Sequence, residues 1–147
     1  MTRRRRAKER ELLRVLAMGV QVYRVGHQRD GRLIMHSLGP RADLFDYRGH
    51  RLGTHFMGKA GPVWRLGADC VVGRELRRRA SPNADSIPEL HIAAVASGTG
   101  GVLASTTSIE QIGTCGGVAP PIVACLHEGD TVESPYCAEY VFYAAAS

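Results

Sequence analysis

The sequence predicts a single all-β domain, an antiparallel β-sandwich or flattened barrel of about nine or ten short strands. Three observations support this prediction. Apolar residues alternate with a period of two in short runs such as 12–25, 89–97 and 136–143, which is the spacing of a half-buried strand. The chain contains 17 Gly and 7 Pro, and clusters of these residues separate the runs as turns. No segment has a helical pattern long enough for a stable helix.

The first half of the chain is predicted to form a series of hairpins. Residues 12–25 form a strand in which Gly19 suggests a bulge. Asp30-Gly31 is a strong hairpin signal, and Pro40 is expected to end the returning strand. Further short strands are expected at 42–45, 52–56, 63–66 and 69–73. The charged run RELRRR that follows is interpreted as one helical turn or as a solvated strand end.

The second half is organised around Thr107–Cys125, TSIEQIGTCGGVAPPIVAC. Here an extended run meets Gly116-Gly117 and then Pro120-Pro121. Glycines supply backbone angles that other residues avoid, and prolines cannot donate a hydrogen bond to a strand ladder. The segment is therefore predicted to be a central strand that ends in a tightly shaped loop, with Cys125 held beyond it.

The closing run, PYCAEYVFYAAAS, alternates along its length and predicts a strand with one aromatic face. Tyr136, Tyr140 and Phe142 form that face. A row of aromatic rings can stack on a sugar or a nucleotide base, but packing in the core of the sheet is the favoured interpretation.

The net charge of +5 arises in residues 1–10. They belong to an N-terminal tail, residues 1–11, which is predicted to be basic and disordered ahead of a single domain at 12–147. Residues 1–10 carry six basic side chains against Glu9 alone, so the remaining residues are neutral overall. The basic residues are Arg3, Arg4, Arg5, Arg6, Lys8 and Arg10. Such a run can contact nucleic acid or an anionic surface through charge alone, whereas a solvated tail is the favoured interpretation.

The start of the chain resembles the n-region of a signal peptide, but no apolar h-region follows it. Glu11 and Arg14 interrupt the apolar residues at that point. No run approaches the ~18 apolar residues of a transmembrane helix. We therefore expect a soluble chain with neither an export signal nor a transmembrane segment.

Several blocks of sequence, taken in order, resemble one family. They are Gly19–Tyr23; Ala42–Asp46 with Gly49; Gly53–Phe56 with Gly61-Pro62 and Trp64; Ile87-Pro88; Thr107–Ile109 with Thr114, Gly116-Gly117, Ala119-Pro120 and Cys125; and PYCAEYVFY. The chain resembles the domain-of-unknown-function 3455 family, small and frequently exported proteins of bacteria and fungi, over nearly everything after the N-terminal tail. The resemblance implies an all-β domain. It carries no established activity, substrate or cofactor, so ligand and compartment stay open.

The chain departs from that family's pattern at three places. Members usually have a cysteine at the position of Val25, and that cysteine would pair with the one corresponding to Cys125, which lacks this partner here. The family's Ile-Pro-Trp is Ile87-Pro88-Glu89, and its turn after the tryptophan block is Ala68-Asp69-Cys70. No CxxC motif is present, and whether any of Cys70, Cys115, Cys125 and Cys137 form a disulfide stays open.

The most site-like stretch is GTHFMGKAGPVW, where His55 lies between glycine turns and near Trp64. An imidazole suits acid–base work or metal ligation. The candidate pocket consists of His55, Trp64, Asp69, His50 and Asp46. The favoured interpretation is a histidine that hydrogen-bonds a loop backbone while Trp64 fills the core. No spacing typical of metal ligands is present, so neither a metal site nor a catalytic residue is assigned.

The favoured function is a non-enzymatic binding or structural module of unknown ligand. The alternatives are a small enzyme or metal-binding protein centred on His55, and binding of nucleic acid or an anionic surface through the Arg-rich N-terminus. A cysteine nucleophile, Cys125 or Cys115 with His127 or His55, lacks an oxyanion-hole motif and is disfavoured. Edge strands of an all-β domain also offer a route to a homo-oligomer.

Overall fold

The structure, a computed structural model, describes residues 8–98 and 100–146 and contains eight strands. Each strand pairs antiparallel with its neighbours in sequence order, and the first pairs with the last, so the sheet closes into a barrel. The strands are β1 (Glu9–His27), β2 (Leu33–Phe45), β3 (Arg51–Gly58), β4 (Gly61–Leu66), β5 (Asp69–Arg79), β6 (Glu89–Ser97), β7 (Thr106–Gly116) and β8 (Thr131–Ala145).

The all-β antiparallel prediction is confirmed, with two corrections. The architecture is one closed barrel rather than two facing sheets of a sandwich, and the strands number eight rather than nine or ten. Closure gives every strand two neighbours. Among the described residues, none of the eight strands is therefore an edge strand of the kind through which the sequence left open a homo-oligomer.

The prediction that Pro40 ends the second strand is wrong, because β2 continues through Pro40 to Phe45. The strand accommodates the proline next to a bulge, where the pairing with β1 shifts between Val22 and Tyr23. Gly39 lies at this shift with a φ of 94°, a backbone conformation that glycine adopts at little steric cost. Two predicted strands thus become one, which accounts for part of the lower count.

The run RELRRR extends β5 as strand rather than forming a helical turn. It pairs with the start of β6 after a bulge between Glu75 and Arg77. Two of its arginines form ion pairs, in which Arg78 Nε lies 2.8 Å from Glu75 Oε2 and Arg79 Nε lies 2.8 Å from Glu89 Oε1. The solvated strand end is therefore the correct one of the two alternatives.

The core occupies the inside of the barrel, which we call the lumen. An eight-stranded barrel is just wide enough for side chains to fill its interior. Apolar residues from seven of the eight strands meet there, namely Val15, Ala17, Leu44, Trp64, Val71, Ile92, Ile109, Tyr140 and Phe142. The aromatic face predicted for the last strand points inward, since Tyr136, Tyr140 and Phe142 are all buried.

A chain of hydrogen bonds links the lumen to one end of the barrel. The hydroxyls of Tyr136 and Tyr140 lie 3.3 Å apart, and Tyr140 donates to Gln111 Oε1 at 2.7 Å. Gln111 Nε2 in turn donates to the carbonyl of Pro88 at 2.9 Å. Burial raises the pKa of Tyr140 well above its ordinary value, so the hydroxyl stays protonated and acts as a donor. Each of these polar groups thereby gains a hydrogen bond.

The connections divide between two ends of the barrel. The upper end carries 28–32, 59–60, 80–88 and 117–130, and the lower end carries 46–50, 67–68 and the loop that includes Gly98 and 100–105. Leu103 of this last loop is fully buried and joins the core. The lower end is thus covered by a loop that contributes a core side chain.

Close packing against Trp64 gives the first testable prediction. A Cβ added to Gly73 would lie 2.6 Å from Ile92 Cγ2 and 2.8 Å from Trp64 Cζ3. Because these two side chains are buried in the core and have little room to move, Gly73→Ala is expected to lower the free energy of unfolding by about 1–3 kcal/mol in urea denaturation.

Gly26→Ala is the matched control for Gly73→Ala. Its added Cβ would also make a close approach, at 2.5 Å, but to the ring of the exposed His36, which can rotate away. A loss of stability in Gly26→Ala as large as that in Gly73→Ala would contradict the packing argument.

Candidate functional site

His55 and Trp64 face each other on paired strands inside the lumen. They are register partners on β3 and β4, and their rings stack with centroids 4.3 Å apart. Tyr140 reaches them from the opposite wall, with its ring edge-on to His55 at 4.9 Å and to Trp64 at 5.4 Å. Only 2% of the surface of His55 and 1% of that of Trp64 is exposed. Two of the five predicted pocket residues are therefore in contact, in a packed interior.

The protonation of His55 follows from its surroundings. Its Nδ1 lies 2.8 Å from the carbonyl oxygen of Val63, and because a carbonyl only accepts, Nδ1 carries the proton. Burial lowers the pKa of His55 to about 4, and the hydrogen bond to Val63 offsets this only in part. The imidazole is therefore neutral at physiological pH. It acts as a donor to the backbone and as a packing surface for Trp64.

Asp69 lies at the lower end of the barrel, beneath the loop that follows β6. Its Oδ2 accepts a hydrogen bond from the backbone N–H of Leu103 at 3.3 Å. A Cβ on Gly101 would overlap this carboxylate, so the loop approaches it closely. Within the described residues, Asp69 Oδ1 and Trp64 Nε1 are buried atoms without a hydrogen-bond partner. Asp69 thus helps to hold the loop that covers the lower end.

His50 and Asp46 lie in the exposed turn between β2 and β3. Asp46 Oδ1 accepts from the backbone N–H groups of Arg48 and His50, each at 2.9 Å, and Asp46 Oδ2 lies 3.2 Å from His50 Nδ1. These backbone hydrogen bonds, chiefly the one from His50, lower the pKa of Asp46. The five predicted residues therefore occupy three places, which are the lumen, the lower-end loop and this turn.

Among the described residues, the candidate metal ligands do not cluster, and the candidate nucleophile Cys125 lies at the surface. Within 8–98 and 100–146, no three His, Cys, Asp or Glu side chains come close enough together to hold a metal ion. Cys125 is exposed and lies within the 117–130 loop, rather than being held beyond it as the sequence predicted. His127, two residues away, is 82% exposed at its side chain and lies near Asp130.

The basic tail falls mostly outside the described residues. Arg3, Arg4, Arg5 and Arg6 belong to the part of the chain that the structure does not describe. Lys8 and Arg10 are exposed, and Arg10 lies in β1, which begins at Glu9 and so overlaps the predicted tail. Nucleic-acid or anionic-surface binding through this segment stays a prediction.

An outer groove of about 250 Å³ lies on the barrel wall beside the start of β1. Its lining includes Glu9, His91 and Ser108. Ser108 Oγ donates to Glu9 Oε2 at 3.3 Å, and Arg77 Nη2 donates to His91 Nδ1 at 3.1 Å. The polar groups of the groove are thus engaged with neighbouring side chains.

The loop that joins β7 to β8 exposes apolar side chains that the sequence did not lead us to expect at the surface. Val118 is 39% exposed, Ile122 is 37% exposed and Val123 is 50% exposed. Pro120 and Pro121 lie between them. The composition of the segment could have indicated this exposure, since VAPPIV is apolar whereas most loops are polar.

These features define a class of protein, a closed eight-stranded β-barrel whose lumen is filled and whose irregular loops lie at its two ends. A family model described as "Protein of unknown function (DUF3455)" matches residues 6–144. The chain belongs to this family, as the sequence resemblance predicted. No curated protein and no solved structure is significantly similar to it. Among the described residues there is no helix with the length and apolar character to cross a membrane.

The buried neutral His55 predicts a specific dependence of stability on pH. Its pKa falls from an ordinary value of 6.5 to about 4 in the folded state, so between these values the unfolded chain binds more protons. Stability therefore rises with pH across this window and is lost as pH falls below about 6.5. The loss attributable to His55 approaches roughly 3 kcal/mol near pH 4.

Urea denaturation of His55→Phe between pH 7.5 and pH 4.5 checks this prediction. The variant is expected to lose much of the pH dependence, because phenylalanine keeps an aromatic ring against Trp64 but cannot titrate. His50→Gln, at an exposed histidine, should keep the wild-type slope. An unchanged slope in both His55→Phe and His55→Gln would refute the assignment.

Proposed function

We propose that the protein is a non-enzymatic binding module that presents the segment 118–123 to a protein partner. The barrel acts as the rigid support of this segment. The observation that carries the proposal is the cluster of exposed apolar side chains, Val118, Ile122 and Val123, around Pro120-Pro121. Contiguous exposed apolar surface is typical of sites that contact another protein.

The length of the connection supports the proposal. Residues 118–130 contain no helix or strand, although hairpins in such barrels need only short turns. The connection reaches the length of about 12–15 residues above which loops without secondary structure are uncommon and usually functional. A turn of the minimal length would close β7 onto β8 equally well. We therefore attribute the additional residues to binding.

The loop is fastened to the barrel at both ends, which favours binding because little ordering is left to occur. At one end the Tyr23 hydroxyl donates to the carbonyl of Gly117 at 2.5 Å. At the other end Val25 N donates to Asp130 O, and Gly129 N donates to Val25 O, each at 2.8 Å. A segment held in one conformation loses less conformational entropy when a partner binds.

The position of Gly117 adds to this restraint. Its φ is 85°, and an added Cβ would lie 2.9 Å from Tyr136 Cβ and 3.1 Å from Ile87 Cγ2. Glycine is thus required both by the backbone angle and by the close approach of neighbouring elements. The direction in which the chain leaves β7, and hence the placement of the apolar segment, depends on it.

The filled lumen also favours a binding module over an enzyme centred on His55. The imidazole is packed between Trp64 and Tyr140 and donates to a backbone carbonyl. Neither Asp46 nor His50 supports it, since both are engaged in their own turn. These contacts fit a structural role for His55, and they leave the loops and the outer wall as the surfaces for recognition.

Val123→Asp tests the proposal against a matched control, Val102→Asp. Both valines lie in loops and are about equally exposed, at 50% and 55%, but Val102 lies at the opposite end of the barrel. Wild-type protein is immobilised, and the proteins that it retains from an extract of the producing cells are identified. The affinity of a specific partner is then measured for the wild type and for each variant. Val123→Asp is expected to weaken that affinity at least about tenfold, because an unpaired carboxylate would be buried in an apolar contact.

Val102→Asp should bind the same partner as tightly as the wild type. If Val123→Asp and Val102→Asp bind the partner with equal affinity, the proposed surface is contradicted. It is also contradicted if Ile122→Asp leaves the affinity unchanged. Sedimentation of the pure protein distinguishes a second copy of this chain from another protein as the partner.

A further inference from the structure

Two of the four cysteines face each other across the outer wall of the barrel. Cys115 on β7 and Cys137 on β8 are register partners. Burial and, after it, the neighbouring Cys115 thiol raise the pKa of Cys137. Cys70, in contrast, pairs with Arg65 and Ser97, and Cys125 lies in the 117–130 loop. The register thus selects one pair out of the six that four cysteines allow.

The geometry of a directly opposed pair suits a disulfide. Opposed residues in an antiparallel sheet have Cα atoms about 4.5–5.5 Å apart. This separation falls within the range of about 4.4–6.8 Å that disulfides span. Register partners such as Cys115 and Cys137 are therefore close enough for a disulfide to join them.

The two thiols differ in access, which assigns them different parts in such a reaction. Cys115 is exposed, whereas Cys137 is half-buried. Asn83 Nδ2 lies 3.3 Å from Cys115 Sγ and also donates to the carbonyl of Thr114 at 2.9 Å. Burial raises the pKa of Cys137, which leaves Cys115 as the group that a reagent in solution meets first.

We propose that Cys115 and Cys137 form a reversible thiol–disulfide pair, a modification site that is oxidised by small-molecule disulfides of the glutathione type. The Cys115 thiolate attacks one sulfur of the oxidant, forms a mixed disulfide and releases one small thiol. The Cys137 thiolate then attacks the sulfur of Cys115, forms the intramolecular disulfide and releases the second small thiol. The protein loses two hydrogens, and the oxidant is reduced to two thiols.

The bond would close a ring that contains the whole 117–130 connection. It would join β7 and β8 immediately before the point at which the chain turns at Gly116-Gly117. Restricting the unfolded chain in this way raises stability, and the effect grows with the length of the closed ring. This consequence holds whether or not the loop binds a partner.

Mass spectrometry of the full chain tests the proposal directly. The reduced protein is equilibrated with reduced and oxidised glutathione at defined ratios, quenched in acid and alkylated with N-ethylmaleimide. Oxidation is expected to lower the number of alkylated thiols from four to two, and peptide mapping should recover a peptide linked through Cys115 and Cys137. The oxidised form should also unfold at a temperature several degrees higher than the reduced form, and dithiothreitol should reverse both changes.

The chain supplies its own matched controls. Cys70→Ser and Cys125→Ser should each keep the two-thiol loss, whereas Cys115→Ser and Cys137→Ser should abolish the intramolecular bond. Four alkylated thiols in wild type at every glutathione ratio would overturn the proposal. So would a stable glutathione adduct without ring closure, or a linked peptide that contains Cys70 or Cys125. Because peptide mapping of the wild type alone decides the pairing, the test does not depend on the folding of any variant.

Discussion

The pairing of the first strand with the last is the constraint on which the rest of the structure depends. It runs from Glu9 opposite Ala145 to Arg24 opposite Thr131, nearly the full length of both strands. Without it, the same strands would form an open sheet with two exposed edges, and the residues of the lumen would lack a second wall. The pairing also places Tyr23 beside Gly117, where its hydroxyl donates to the carbonyl of Gly117. Closure of the barrel therefore also holds the start of the upper-end loop.

Closure also determines which residues fill the interior. The indole ring of Trp64 needs space, and Gly73 on the adjacent strand β5 provides it, because a Cβ at that position would meet the ring. His55 completes the layer by stacking on Trp64 and donating its Nδ1 proton to a backbone carbonyl. A polar ring is tolerated in this place because it is neutral and hydrogen-bonded. The lumen is consequently a source of stability.

The upper end combines several features around one segment. The connection 80–88 is tied to β7 through Asn83, and to the lumen through the bond from Gln111 to the carbonyl of Pro88. The apolar residues around Pro120-Pro121 project from a loop that is fastened at both ends. The opposed thiols of Cys115 and Cys137 lie at the base of the same loop. The proposed binding surface and the proposed redox pair thus lie at the same end of the barrel.

The sequence by itself determined the all-β class, most turns, the inward aromatic face of the last strand and the family, because alternation and turn chemistry are local properties. It did not reveal that β2 passes through Pro40, since the bulge that permits this depends on pairing with β1. Only the tertiary structure separated His55 from His50 and Asp46, exposed the apolar loop and brought Cys115 opposite Cys137. Each of these outcomes depends on register and closure between strands distant in sequence, and a shift of one residue would reverse which face each side chain occupies.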